Sequence, residues 1–93
     1  MLPAIELIGA PWCGSCKTIR KKLTSQDIPF DLHLIPPGPN GWAYVEERTG
    51  SRAVPAVFID GELTDLRDFV RHIDSLGLPE RELTEEELDD IDE

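Results

Sequence analysis

The Asp60-Gly61 pair constrains this chain more than any other two residues. It stands between "AVFI" (56–59) and "ELT" (62–64), two short runs with strand character. A type I′ turn needs positive φ at both central positions, and Asp-Gly tolerates that better than almost any other pair. The chain should therefore contain a tight antiparallel hairpin late in its length. Other elements stand on either side of it. "AIELI" (4–8) is an apolar run consistent with a buried strand. From Gly14 to about Gln26 the pattern is helical, with Cys16, Ile19 and Leu23 on one face and Lys17, Arg20, Lys21 and Thr24 on another. "FDLHLI" (30–35) alternates Phe30, Leu32 and Leu34 against Asp31 and His33, a strand with unlike faces. "PPGPNG" (36–41) reads as a loop, with Asn40 expected to cap a helix from Gly41 to Thr49 that Gly50 ends. Leu66, Phe69, Val70, Ile73 and Leu76 recur at helical spacing until Gly77 and Pro79 stop the helix. The order is β-α-β-α-β-β-α, an α/β chain with one domain over residues 1–79.

Composition separates that domain from the C-terminal end of the chain. The net charge is −10, and residues 80–93 carry nine acids against one base. The domain is thus close to neutral and the acidic C-terminal tail, 80–93, is expected to be disordered or a short helix. Thr84 with Glu87 fits a capping box, but few apolar residues are there to dock such a helix. An acidic balance argues against nucleic-acid binding, which relies on basic surface. With 40% hydrophobic and 30% charged residues and no stretch near the length of a membrane span, the chain reads as soluble and globular. The first residues lack a basic segment and carry Glu6 in their apolar run, a poor signal peptide. A cytoplasmic protein is expected, away from membranes and nucleic acid.

Cys13 and Cys16, the only cysteines, sit two residues apart in "GAPWCGSCK" (9–17). In a reducing compartment a close pair is more often catalytic or metal-binding than structural. Zinc usually takes four ligands. One CxxC gives two, and His33 and His72 lie in separate elements without paired spacing, so no metal site is expected and neither histidine is given a catalytic role. Cys13 falls where a strand gives way to a helix, and the unpaired N–H groups and dipole there favour an anion. That raises the thiolate fraction of a cysteine. Cys13 is therefore the better nucleophile and Cys16, one turn on, the better resolving partner. Lys17, Arg20, Lys21 and Lys22 form either a solvated helix face or a local positive field that draws acidic substrates. Trp12 reads as a partly exposed contact surface beside the pair. Pro55, just before a strand, reads on its own as a strand-edge residue.

A strand running into "PWCGSC", then some 35 residues later "TGSRAVPAVFIDG", and then a last helix, resembles the glutaredoxin branch of the thioredoxin-fold family. The resemblance spans residues 4–76, with "WCGSC" leaning toward thioredoxin. It implies a four-stranded mixed sheet flanked by helices, attack by Cys13 on a disulfide and resolution by Cys16. It also implies a cis Pro55 facing the pair, with the Val54 backbone offered to glutathione or a peptide. The lysine many relatives carry before the motif is absent, and Lys17 is the candidate to replace it. After the hairpin the family's Gly-Gly is replaced by "ELTDLRD", leaving Asp65 for the acidic part, and Arg52 is the candidate to meet a carboxylate. The expected function is a dithiol thiol–disulfide oxidoreductase, a monomer with no tightly bound cofactor. It would reduce protein or glutathione-mixed disulfides with glutathione as co-substrate. The alternatives are a thioredoxin-like redoxin fed by a thioredoxin-reductase-type enzyme, for example a donor to ribonucleotide reductase, a glutathione-dependent [2Fe–2S] cluster module, and a thioredoxin-fold adaptor.

Overall fold

The computed structural model describes residues 2–92. Met1 and Glu93, the outermost residues of the expected domain and tail, lie outside the described residues. Eight elements succeed one another: β1 (Ile5–Gly9), α1 (Gly14–Ser25), β2 (Phe30–Leu34), α2 (Pro39–Thr49), β3 (Ala56–Ile59), β4 (Glu62–Thr64), α3 (Leu66–Ser75) and α4 (Glu85–Asp92). The strands form one sheet in the order β2-β1-β3-β4. β1 runs parallel to β2, Leu7 beside Leu32, and antiparallel to β3, Leu7 opposite Val57. β3 and β4 close the expected hairpin, with Phe58 opposite Leu63. At its turn Asp60 has φ 51° and Gly61 φ 84°, the two positive values that a type I′ turn demands.

Period-two alternation along β1 decides which helices cover which face. Ile5 and Leu7 point to one side, where Ile19 and Leu23 of α1 and Phe69 and Ile73 of α3 bury them together with Val57. Ile8 points to the other side and packs with Val45 of α2 and with Ala56 and Phe58 of β3. The mixed sheet is therefore sandwiched, α1 and α3 on one face and α2 on the other. Glu6 shares the α2 face. Its carboxylate pairs with Arg48 of α2, whose guanidinium lies 4.9 Å from the Phe58 ring centre, and with His33 Nε2 of β2 at 3.0 Å. Arg48 also donates to the Tyr44 hydroxyl at 2.9 Å. This ionic cluster ties α2 across the two parallel strands.

The start of α2 differs from the sequence expectation. α2 begins at Pro39, with Gly38 as its cap at φ 99°, so Asn40 lies within the first turn and does not cap it. Proline suits this place because its missing N–H would have no helical partner and its φ is already helical. Gly41 then passes so close to the preceding loop that a Cβ there would stand 2.2 Å from the Pro36 carbonyl oxygen.

Beyond α3 the chain turns back along α1. Gln26 Nε2 donates to the Leu78 carbonyl at 3.1 Å, and the Arg81 N–H donates to the Ser25 carbonyl at 2.8 Å. The Arg81 guanidinium bridges Asp27 at 3.0 Å and Glu87 at 2.8 Å. α4 starts on the reciprocal capping box expected from the Thr84 and Glu87 spacing. The Thr84 N–H donates to Glu87 Oε1 at 2.9 Å, and the Glu87 N–H donates to Thr84 Oγ1 at 3.1 Å. Ile91 of α4 is buried. α4 therefore lies against the domain in spite of its few apolar residues, because Ile91 and the Arg81 bridge share the task.

Candidate active site

β1 ends at Gly9, the chain turns over Pro11 and Trp12, and the Cys13 N–H donates to the Ala10 carbonyl at 3.1 Å. Cys13 is the cap residue of α1, held in an extended conformation with φ −92° and ψ 110°. Its sulfur takes the role that a serine or aspartate oxygen usually plays at a helix start: Sγ accepts the Cys16 N–H at 3.2 Å. An N–H at the positive end of a helix favours negative charge on the atom it meets. Cys13 remains half-buried, whereas Cys16 is 1% exposed. Burial, and next the hydrogen bond with Cys13, push the Cys16 thiol up to about 12. The two thiols are thus unequal, one reachable at the helix start, the other enclosed and protonated. Both are free.

Gly9 is what lets Cys16 sit where it does. A Cβ on Gly9 would stand 3.1 Å from both the Cβ and the Sγ of Cys16. The sequence signal was the position of Gly9 at the end of an apolar strand facing a helix that packs its cysteine inward.

Trp12 is 52% exposed and meets Trp42 of α2 edge to face, the ring centres 6.4 Å apart and the planes at 62°. Sequence reasoning singled out Trp12 and missed Trp42, because nothing local says that α2 brings its first turn to the cysteine loop. Trp42, Cys13 and Val54 all pack against the α2-side core. The Val54–Pro55 peptide is cis, as the resemblance implies. Among the described residues no backbone hydrogen bond outside helices and strands engages Val54.

The remaining candidates are spread more widely. Lys17 lies half-buried on the first turn of α1, its N–H donating to the Cys13 carbonyl at 3.2 Å. Arg52 is exposed and its guanidinium pairs with Glu46 of α2. Asp65 caps α3, its Oδ1 accepting the Arg67 N–H at 3.0 Å. Asp65 and Pro55 line one open groove of about 500 Å³ with Ser51, Ala53, Thr64 and Leu66, a groove that neither Arg52 nor Lys17 lines. Among the described residues no group of three or more His, Cys, Asp or Glu side chains converges as metal ligands would.

A four-stranded mixed sheet with helices on both faces, a CxxC pair at a strand-to-helix junction and a cis proline before β3 define a thioredoxin-like fold. The family model for glutaredoxin matches residues 5–64, and the chain belongs to the glutaredoxin family. Among solved structures it is similar to glutaredoxin 1 from Francisella tularensis complexed with cacodylate, at 18% identity and a TM-score of 0.62, over 80% of this chain and 95% of that one. It is also similar to a wheat glutaredoxin, at 23% identity and a TM-score of 0.60, over 76% of this chain and 70% of that one. A buckwheat glutaredoxin–glutathione complex matches at 21% identity and a TM-score of 0.61, over 96% of this chain and 76% of that one. At these identities the likeness is one of fold. No curated protein sequence matches. Among the described residues no helix is long and apolar enough to cross a membrane.

Proposed function

We propose that the chain is a dithiol thiol–disulfide oxidoreductase in which Cys13 attacks and Cys16 resolves. The observation that carries this reading is the Cys16 N–H donating to Cys13 Sγ at 3.2 Å, with the Cys16 thiol enclosed one turn further in. The Cys13 thiolate attacks one sulfur of a substrate disulfide. A mixed disulfide forms, the substrate S–S bond breaks, and the first substrate thiolate leaves and takes a proton from water. Cys16 then gives up its proton and attacks Cys13 Sγ. The Cys13–Cys16 bond forms, the second substrate thiol leaves, and two electrons have passed to the substrate. The enclosure of Cys16 makes its deprotonation the demanding part of the second step, since only a thiolate attacks a disulfide.

Substrates in this reading are disulfide-bearing proteins or their glutathione-mixed disulfides. Trp12 and Trp42 supply the apolar contact, and the backbone of Val54 beside Pro55 supplies short β-pairing to an extended segment. Glutathione is the co-substrate that returns the electrons. Family membership supports this, as does the buckwheat relative, which binds glutathione, and the groove between Pro55 and Asp65 is the place for it. A reductase-fed cycle is the second reading, favoured by the Arg52–Glu46 pair, which occupies the guanidinium that a glutathione carboxylate would seek. In either cycle the protein works as a monomer in a reducing, cytoplasmic setting. The test is turnover of a protein disulfide with glutathione as sole reductant, and then with a thioredoxin reductase as sole reductant. Turnover with glutathione supports the reading. Turnover with the reductase alone replaces the electron donor, and turnover with neither refutes the proposal.

A further inference from the structure

The chain has two tryptophans, and the fold brings both to the cysteine loop. Trp12 directly precedes Cys13 and stays 52% exposed. An indole left that open forgoes apolar burial in the free protein. Trp42 is half-buried against the α2-side core, where Cys13 and Val54 also pack. Its neighbours fix its place. Gly41 sits too close to the Pro36 carbonyl for any Cβ, and Val45, three residues on, is fully buried. The Glu6–Arg48 pair holds the far end of the same helix. The two indoles meet at 62° with centres 6.4 Å apart, edge on face and not stacked. Trp42 thereby braces Trp12, whose open surface is held beside Cys13. Neither tryptophan lines the groove of Pro55 and Asp65, so the aromatic step is a separate surface.

We propose that Trp12, braced by Trp42, forms a subsite for a large apolar side chain next to the reacting cysteine of a protein or peptide disulfide. The inference rests on the oxidoreductase reading above and names the substrate class of the same site. Its physical basis is tether length. In the mixed disulfide the substrate sulfur stands about 2 Å from Cys13 Sγ. The residues beside the substrate cysteine are one Cα step of about 3.8 Å away, and Trp12 is one such step from Cys13. A side chain on those residues is thus held within reach of the indole. An aromatic or aliphatic group there covers the open surface of Trp12, and the fixed seat of Trp42 keeps the ordering cost small. Glutathione carries no apolar flank and keeps the Pro55–Asp65 groove. The subsite therefore adds to the glutathione cycle and does not compete with it.

The test uses the reduced full-length chain in single-turnover stopped flow against two symmetric, capped peptide disulfides. Each cysteine is flanked on both sides by phenylalanine in one and by glycine in the other. Cys13 attacks either sulfur, one peptide leaves as thiol, and Cys16 releases the second as the Cys13–Cys16 bond forms. Comparing the phenylalanine-to-glycine rate ratio between wild type and variant cancels the intrinsic reactivity of the peptides. The ratio should fall roughly tenfold in Trp12→Ala and in Trp42→Ala. Trp12→Ala, at an exposed position, carries this arm alone if Trp42→Ala does not fold. Both tryptophans of the chain belong to this step, so their emission is a second readout that leaves the aromatic pair intact. In Cys16→Ser carrying each peptide on Cys13, the phenylalanine adduct should emit further to the blue than the glycine adduct. A ratio unchanged in either folded alanine variant, or equal emission from the two adducts, overturns the subsite and leaves the oxidoreductase reading standing. A wild type that reacts with neither peptide brings down both.

Discussion

Cys16 donates its backbone N–H to the sulfur of Cys13 at 3.2 Å while keeping its own thiol 1% exposed. Two cysteines one helical turn apart therefore differ in access, and burial holds the Cys16 thiol well above its ordinary value. An alkylating agent at pH 7 should label Cys13 and leave Cys16 untouched. With its thiol pushed up to about 12, Cys16 is thiolate to roughly one part in ten thousand at pH 8. In the variant Cys13→Ser the remaining thiol should stay slow to alkylate through pH 9. Mass mapping of the labelled peptides checks this.

The same burial makes stability depend on alkaline pH. The folded Cys16 thiol is raised from 9.0 to about 12. A raised thiol contributes stability that is complete below the unfolded value and is lost as pH climbs toward the folded one. The reduced protein should thus lose stability from about pH 9 to about pH 12. Thermal melts of wild type and Cys16→Ala across that interval measure the difference, and the variant should show the shallower decline.

Gly41 and Gly9 are tested by one methyl group each. At Gly41 the new Cβ would stand 2.2 Å from a backbone oxygen, and Gly41→Ala should cost about 3 kcal/mol or more, read from denaturant midpoints. At Gly9 it would meet the Cys16 side chain at 3.1 Å, and Gly9→Ala should cost less while slowing the closing of the Cys13–Cys16 bond. Stopped-flow resolution of a preformed Cys13 mixed disulfide reads that step.

Acid should loosen α4 before the domain. Hydrogen bonds from Arg81 and then from the Thr84 N–H lower the Glu87 carboxyl from 4.5 to about 2. A lowered carboxyl contributes stability that is present above the unfolded value and lost as pH falls through the folded one. Amide protection in residues 85–91 should therefore fall between about pH 4.5 and about pH 2. Arg81→Gln should give weak protection there already at pH 7, with β1 and α1 unchanged in hydrogen exchange.

Much of this architecture is legible where one residue type answers a local demand. Asp60-Gly61 predicts its own hairpin because few other pairs tolerate two positive φ values, and Thr84 with Glu87 predicts the start of α4 because their two hydrogen bonds are reciprocal. Asn40 misleads because cap preference competes with the suitability of Pro39 for a first helical turn, and the proline prevails. Trp42 and the Glu6–Arg48 pair are illegible for a different reason. Their roles arise only once α1 and α2 close on the sheet, and no local pattern reports that approach.

The central claim is that Cys13 takes the substrate and Cys16 releases it. Incubating the full-length Cys16→Ser variant with a disulfide-bearing protein and mapping the resulting linkage by peptide mass tests it most directly. A stable mixed disulfide on Cys13 that wild type does not accumulate is the expected result. A wild type that accumulates the same adduct, or a variant that forms none, contradicts it.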